Sequence, residues 1–290
     1  MTSPTYERPE SLDEATQLLA ARQDASALSG GTDLAVAIRH GKADPGVVVD
    51  LKGIPELAAS ITRVDGGFRI TANTSMTDLE SDPRVVHELP GLVEAAEVVG
   101  SVQIRNRATL AGNLCNASPA ADTPPVLMAL GASVDLIGPD GERSVTIDDF
   151  LVGYRQTILA PGELIKAVTI PGRPGASSSS FLKLGVRRAM EISIVCVGAM
   201  IELDEAGMIA AAGVGLGSVA PTTVRAHSCE ALLVGAEPSD DLFVAAAQAA
   251  AADCTPIDDL RATGEYRQSM VPILVRRALA TATERARSAR

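Results

Sequence analysis

The sequence contains no tryptophan, and aromatic residues make up only 2% of its 290 positions. Any core must therefore be built from small and branched aliphatic side chains, drawn from the 46% of residues that are hydrophobic. Together with a charged fraction of 21%, this composition excludes a disordered or fibrous chain. The length is sufficient for one large or two modest domains.

Long apolar runs are also missing. No stretch of about eighteen apolar residues occurs, so the sequence predicts no membrane-spanning helix. The opening residues, MTSPTYERPESLDE, carry acids and prolines where a signal peptide requires an apolar segment. Without a C-x-x-C pair, the cysteines favour neither a structural zinc site nor a locally bound iron–sulfur cluster. We therefore expect a cytoplasmic protein with four reduced thiols, at Cys115, Cys196, Cys229 and Cys254.

Positive charge is scarce, with a formal net charge of -11 and a pI near 4.8. This balance argues against a nucleic-acid groove or an anionic membrane surface as a partner. A P-loop is absent, and so is a G-x-G-x-x-G turn, which disfavours nucleotide hydrolases and ordinary Rossmann domains. Only three histidines occur, and no H-E-x-x-H, G-x-S-x-G or EF-hand pattern is present. The residues alone therefore indicate no acid–base machinery.

Several local patterns predict secondary structure. Ser11 followed by Glu14 is typical of a helix capping box, and Thr77 with Glu80 is a second candidate. The β-branched run Val47–Leu51 predicts a buried strand, and Ser133–Ile137 predicts another. In the basic stretch that follows Ser101, Arg105 and Arg107 fit a contact with phosphate, a contact with a partner's carboxylates, or solvated charges at a strand edge.

A proline-, glycine- and serine-rich segment, residues 171–180, is the clearest predicted linker. Strands are predicted after it at Phe181–Arg187, Ile192–Leu203 and Met208–Val219, followed by helices at Ala226–Val234, Ser239–Ala252 and Val271–Arg287. Strands followed by helices predict an α+β unit.

Two loops of small residues, Ser29–Asp33 and Thr109–Asn113, are the most informative features. Glycine lets the backbone approach a phosphate closely and aim several N–H groups at it, without lysine or arginine. Either loop alone is also consistent with a simple turn. We interpret Cys115, which follows the second loop, as a small buried packing residue.

The segment Ser101–Asp122, SVQIRNRATLAGNLCNASPAAD, resembles the second flavin-binding signature of the FAD-binding medium subunit of molybdenum hydroxylases. This is the xanthine dehydrogenase and carbon monoxide dehydrogenase family. The segment Leu28–Leu34, LSGGTDL, resembles the family's first signature. From about Tyr6 to Leu279, further matches follow in the family's order at Asp148–Phe150, Gly153, Glu163–Ile165, Ile170–Pro171, Phe181–Gly185, Arg187, Arg188, Glu191–Ile192, Asp259–Ala262 and Glu265–Arg267.

The resemblance implies an α+β fold with two domains. The first, residues 1–175, would be an FAD-binding domain of the vanillyl-alcohol-oxidase (PCMH) type, with subdomains at about 1–52 and 53–175. The second, residues 176–290, would be of the carbon monoxide dehydrogenase flavoprotein type. It would contain a three-stranded antiparallel sheet and three helices, as the strand and helix pattern after the linker also predicts.

The resemblance also implies the cofactor site. The FAD diphosphate would lie between the two loops, bound by Leu28, Ser29, Gly30, Gly31, Thr32 and Asp33 on one side and by Thr109, Leu110, Ala111, Gly112 and Asn113 on the other. Asp122 and Lys183 would contact the cofactor. Ile165 would pack near its adenosine part, and Ile192 would lie near the isoalloxazine ring. No catalytic or metal-binding residue is implied.

Two positions depart from the family pattern. Ala111 stands where the second loop usually has its first glycine, and Glu191 stands where the family often has aspartate. An alanine with positive φ would cost about 1 kcal/mol, so we expect a negative φ at Ala111. Glutamate at position 191 preserves the charge with a longer reach.

The implied function is electron transfer. In this family a large molybdopterin subunit hydroxylates the substrate, and a small subunit with 2Fe-2S clusters passes the electrons to FAD on the medium subunit. The expected assembly is a dimer of heterotrimers. The alternative is a free-standing flavin oxidase of the same domain type. The substrate stays open among N-heterocycles, aldehydes, purines, carbon monoxide and aromatic thioesters, and the acceptor among NAD, oxygen, a quinone and a carrier protein.

Overall fold

The computed structural model describes residues 4–187 and 189–289. Arg188, one of the residues that resemble the family, lies outside this part of the chain. The structure confirms a mixed α+β architecture, with an amino-terminal half followed by a sheet and helices. The division into domains after residue 175 stays a prediction.

The amino-terminal half contains, in chain order, β1 (Thr5–Glu7), α1 (Leu12–Ala21), β2 (Ala25–Leu28), α2 (Leu34–Arg39), β3 (Val47–Asp50), β4 (Ile61–Val64), β5 (Gly67–Thr71), α3 (Met76–Ser81), α4 (Pro83–Glu88), α5 (Pro90–Glu97), α6 (Val102–Arg105), α7 (Leu110–Asn116), α8 (Thr123–Leu130), β6 (Ser133–Gly138), β7 (Gly141–Thr146), α9 (Ile147–Phe150), β8 (Leu151–Gly153), β9 (Gln156–Thr157) and β10 (Leu164–Ile170). The carboxyl-terminal half contains β11 (Ala176–Leu184), β12 (Val195–Leu203), β13 (Ile209–Gly217), β14 (Val224–Arg225), α10 (His227–Leu233), α11 (Asp240–Ala250) and α12 (Gly264–Ser288).

Two sheets build the amino-terminal half. In the small parallel sheet, β3 lies between β1 and β2, and its run Val47–Asp50 is buried throughout. The larger sheet is antiparallel in the order β4-β5-β10-β6-β7. Because parallel strands end at the same edge, the loop after β2 lies beside the end of β3, which is where ligands bind in parallel sheets.

The carboxyl-terminal sheet has the antiparallel order β11-β12-β13-β14, so a two-residue strand extends the three predicted ones. One of its faces packs on α12 and the other on α8 of the amino-terminal half. The close approach of α8 requires glycine, because a Cβ on Gly213 would lie 2.0 Å from the Ala129 carbonyl oxygen. All eight residues of α8 are buried between the two halves.

The prediction of a linker over residues 171–180 is wrong for its last residues, which belong to a strand. Residues 177–180 lie inside β11, where Ser179 and Ser180 are fully buried. Ser179 Oγ accepts a bond of 3.1 Å from Gly91 N, and Ser180 Oγ donates one of 2.8 Å to Ala278 O. Small hydroxyl side chains thus allow α5 and α12 to pack closely on this strand.

Two other local predictions are corrected. The capping box at α3 is formed by Ser75 and Asp78, because Thr77 Oγ1 instead donates to Asn106 Oδ1 at 2.7 Å. The basic stretch forms α6 rather than a strand edge, and the Arg105 guanidinium pairs with Glu80 at 2.5 Å. Arg105 is therefore not a phosphate ligand in this structure.

Helix α12 begins seven residues before the predicted start at Val271, since Thr263 Oγ1 caps it by accepting from Tyr266 N at 3.2 Å. Pro272 lies inside the helix. None of the helices in residues 4–187 and 189–289 combines the length and apolar character needed to cross a bilayer.

Candidate functional site: a cleft between two backbone loops

The first loop, Ser29–Asp33, connects β2 to α2. Gly31 has φ +75°, a left-handed conformation that glycine adopts without strain. Among the described residues, the backbone N–H groups of Gly30, Gly31, Thr32 and Asp33 donate no hydrogen bond. Unpaired N–H groups in a turn of this kind form a concave site for an anion.

The second loop, Thr109–Asn113, comprises the cap and first turn of α7. Thr109 Oγ1 accepts from Gly112 N at 3.1 Å, and Leu110 N donates to Thr74 O at 3.1 Å. Within the described part of the chain, Ala111 N–H is left without an acceptor. Ala111 itself is buried in helical backbone, outside the positive-φ region, as expected for this departure from the family. Its methyl group therefore causes no backbone strain.

The two loops contact each other directly. Ser29 Oγ donates to Asn73 Oδ1 at 2.6 Å and lies 3.2 Å from Thr109 Oγ1, which is left to donate the second bond. A Cβ on Gly30 would lie 1.9 Å from the Arg107 carbonyl oxygen. Gly30 is therefore required for the close approach of the first loop to the residues that lead into the second loop.

A cleft of about 810 Å³ separates the first loop from α7 and includes Thr109, Gly112 and Asn113 in its wall. This volume is within the range of about 300–1,000 Å³ usual for cofactor sites. Among the described residues that line the cleft, Lys42 and Arg155 carry positive charge, and Asp33 carries the one carboxylate. The cleft thus has the opposite charge balance to the chain, whose net charge is -11.

Leu28 and the whole first loop also line the cleft, so the structure brings both predicted loops to one site. Leu110 and Ala111 are buried behind the wall, where they support it.

Cys115 is not the buried packing residue that the sequence suggested. It is exposed and lines the cleft one turn beyond the second loop, because α7 turns this position toward the first loop.

Tyr154 and Arg155 also line the cleft, although the sequence did not predict them as site residues. They form the turn between β8 and β9, and Arg155 has the unusual φ of +54°. The Arg155 guanidinium donates to Asn116 Oδ1 at 2.6 Å, and its backbone N donates to Ala117 O at 3.1 Å. These contacts fix the hairpin against the end of α7. No sequence pattern identifies such a contact between distant segments.

Asp122 and Lys183 form a buried ion pair of 2.9 Å that joins the segment before α8 to β11. Ser193 Oγ donates to the same carboxylate at 2.9 Å. Burial raises the pKa of Asp122 above its ordinary value, although Lys183 and Ser193 favour the charged form. The pair is connected to the cleft through Thr123, whose Oγ1 donates to Asn113 Oδ1 at 2.6 Å.

Ile165 and Ile192 do not line the cleft. Ile165 is 3% exposed and faces Leu136 within the five-stranded sheet. Ile192 is 48% exposed in the segment between β11 and β12. In that segment, Met190 N donates to the Gly100 carbonyl at 3.4 Å, next to Val99 of the cleft wall. Their contacts with a cofactor, like those of Asp122 and Lys183, stay predictions.

A family profile described as "FAD binding domain in molybdopterin dehydrogenase" matches residues 2–173. This chain belongs to that family. A second profile, "CO dehydrogenase flavoprotein C-terminal domain", matches residues 180–282. The resemblance identified from the sequence is thereby confirmed.

Two relatives of this molybdopterin dehydrogenase family member match it over nearly their full length. The carbon monoxide dehydrogenase medium chain of Hydrogenophaga pseudoflava is 32% identical, covering 97% of each chain. The putative xanthine dehydrogenase FAD-binding subunit of Escherichia coli K12 is 30% identical, covering 96% of this chain and 95% of that one.

Solved structures of related proteins have the same fold as this chain. A carbon monoxide dehydrogenase structure from Hydrogenophaga pseudoflava superposes with a TM-score of 0.92 at 32% identity, covering 97% of this chain and 98% of that one. Quinoline 2-oxidoreductase from Pseudomonas putida 86 gives 0.89 at 28% identity, covering 98% of both chains.

The cleft of this family member offers backbone N–H groups that could bind the diphosphate of a dinucleotide. Four unpaired N–H groups on the first loop can donate to diphosphate oxygens, and the Ala111 N–H, also without an acceptor among the described residues, lies behind the wall at the second loop. Within the described residues, no group of three or more metal-ligating side chains occurs. The arrangement is therefore suited to holding a dinucleotide through backbone donors.

Proposed function

We propose that this chain binds FAD in the cleft and transfers electrons from the 2Fe-2S clusters of a partner subunit to an external acceptor. The observation that carries this proposal is the set of unpaired backbone N–H groups at Gly30, Gly31, Thr32 and Asp33 in the wall of a cleft that the second loop also lines. When bound, FAD supplies the redox chemistry, and the protein supplies position and electrostatics.

The chain's own residues have distinct tasks in this proposal. The first loop and Ala111 donate hydrogen bonds to the diphosphate, while Thr109 and Ser29 keep the loops at a fixed spacing. The Asp122–Lys183 pair orients Asn113 through Thr123 and contacts the cofactor from the other side. Ile165 supports the adenosine end, and Ile192 lies near the flavin ring.

The chain acts as the medium subunit of a heteromeric molybdenum hydroxylase in the cytoplasm. Its partners are a small 2Fe-2S subunit and a large molybdopterin subunit, arranged as a dimer of heterotrimers. Support comes from relatives that are named as medium chains or FAD-binding subunits of dehydrogenases and are matched over their full length. Its four unpaired cysteines suit a reducing compartment. The same relatives disfavour a free-standing flavin oxidase.

The test is the flavin content of the complex purified through a tag on this chain. We expect an oxidised-flavin absorption spectrum and FAD equimolar with the chain after denaturation. We also expect dithionite, added without oxygen, to bleach the flavin bands. A colourless complex, or FMN in place of FAD, would refute the proposal.

Cys115 provides an independent prediction about where FAD binds. Bound FAD should slow its alkylation by a maleimide at mildly alkaline pH by at least about tenfold, because the thiol lines the cleft. The other three cysteines are buried and serve as the internal reference in peptide mass spectra. Equal labelling rates with and without FAD would place the cofactor elsewhere, and Cys115→Ser gives the background.

A further inference from the structure

Tyr154 is the aromatic residue of the cleft wall. The four phenylalanines of the chain are buried, and within residues 4–187 and 189–289 no other tyrosine or phenylalanine lines the cleft. Tyr154 is 63% exposed and belongs to neither hydrophobic core. Because tyrosine carries a large apolar ring, an exposed tyrosine in a cleft provides a packing surface that the chain's own cores do not use.

The turn that carries Tyr154 is held in a strained conformation. Arg155 has φ +54°, which in a two-residue turn is usually adopted by glycine or asparagine. Its backbone N donates to the carbonyl of Ala117, a second residue with left-handed backbone, at φ +45°. Its guanidinium donates to Asn116 Oδ1 at 2.6 Å. Strain of this kind persists only where surrounding contacts impose it, and it is concentrated at functional sites, so the turn is a candidate functional element.

These contacts place Tyr154 at the end of α7 that lies away from the second loop. Helix α7 begins after Thr109 and has seven residues, so its end lies about 10 Å along the helix from that loop. Cys115 and Asn116, at the same end, also line the cleft. A dinucleotide carries one ring at each end of its diphosphate. With the diphosphate at the two loops, Tyr154 is placed to meet one of the two rings.

Exposure and charge favour the flavin ring over the adenine ring at this position. The proposed function requires an electron donor and an acceptor to approach the flavin, and the wall at Tyr154 is open to solvent. The Arg155 guanidinium is bonded to a neutral amide, and no carboxylate pairs with it in the described part of the chain. A positive charge without a counterion stabilises a ring that gains electrons, whereas adenine undergoes no change of charge.

We propose that Tyr154 packs its ring against the isoalloxazine ring of bound FAD and makes the cleft prefer FAD to nucleotides that lack a flavin. This inference rests on the proposed function. Tyr154 supplies the ring contact, and the bonds of Arg155 to Asn116 and Ala117 keep the turn in place before the cofactor binds. A surface that is ordered in advance loses little conformational entropy on binding.

The test compares the affinities of the full-length apo chain for FAD and for ADP, which shares the adenine and the diphosphate but has no flavin. Tyr154→Ala should weaken FAD binding by about tenfold, the usual loss for one stacked ring, and leave ADP binding unchanged. Tyr154→Phe keeps the ring and should bind FAD as the wild type does. Tyr266→Ala is the matched control, because Tyr266 is an exposed tyrosine on α12 outside the cleft wall.

The outcomes separate this inference from the proposed function. Unchanged FAD affinity in Tyr154→Ala overturns the inference. So does an equal loss of FAD and ADP affinity, which would place the adenine at Tyr154. A wild-type chain that binds no FAD would instead refute the proposed function.

Hydroxyl-radical footprinting of the wild-type chain gives a second measurement that needs no variant. Saturating FAD should slow oxidation of the peptide that contains Tyr154 by at least about threefold, whereas ADP should not. The peptide that contains Tyr266 is the internal reference for scavenging of radicals by the nucleotides. Equal oxidation of Tyr154 with and without FAD would overturn the inference.

Discussion

Replacing Gly30 with valine is expected to weaken FAD binding by about 100-fold, since overpacking of this kind costs about 1–3 kcal/mol. The first added atom would lie 1.9 Å from the Arg107 carbonyl oxygen and 3.2 Å from Ala108 Cα. Both are backbone atoms and cannot rotate away. The first loop must therefore move off the second, which separates the N–H groups that face one diphosphate. Equilibrium titration of the apo chain with FAD measures the effect.

Two variants separate this local effect from general misfolding. Gly53→Ala is the matched control, because its Cβ would meet only Pro9 O, at 3.8 Å, and it should bind FAD normally. Gly112→Val places its side chain on the cleft wall, where the chain's own nearest atom is Thr109 Oγ1 at 2.9 Å. It should also lose FAD affinity. Wild-type affinity in both Gly30→Val and Gly112→Val would rule out the two-loop site.

Replacing Lys183 with methionine is expected to destabilise the fold by about 3–5 kcal/mol, the usual cost of leaving one charge of a buried pair unpaired. Asp122 would remain 7% exposed, with Ser193 as its only other side-chain donor among the described residues. Since this pair joins β11 to the segment before α8, the loss should also loosen the two halves. The shift of the urea unfolding midpoint of the apo chain measures the loss.

Two control variants show whether the loss of stability comes from the unpaired buried charge. The double variant Asp122→Asn with Lys183→Met removes both charges and should recover much of the stability. Arg22→Met breaks the exposed pair with Asp24, whose side chains are both 49% exposed, and should cost under about 1 kcal/mol. A cost for Lys183→Met no larger than that for Arg22→Met would mean that the buried pair does not stabilise the contact between the two halves of the chain.

Local signals in the sequence predicted the elements around the site well. The cap at Ser11, the buried strand at Val47–Asp50 and the two small-residue loops depend on neighbouring residues, so a short window of sequence reveals them. A negative φ was expected at Ala111 because positive φ is costly for alanine, and the structure places the residue in the first turn of α7, outside the positive-φ region.

Contacts between distant segments explain the errors. Residues 177–180 have the composition of a linker, and only α5 and α12 packing on them makes them a buried strand. Cys115 and the Tyr154–Arg155 turn enter the cleft through the placement of α7 and the β8–β9 hairpin. Gly30 was expected to leave room for a phosphate, whereas its closest neighbour is Arg107. No pattern within a short window specifies these neighbours.

The most direct test of the central claim is an experimental structure of the chain with FAD bound. We predict diphosphate oxygens within hydrogen-bonding distance of the N–H groups of Gly30–Asp33 and of Ala111. A diphosphate bound elsewhere, or loops that separate on binding and leave these N–H groups facing solvent, would contradict the account.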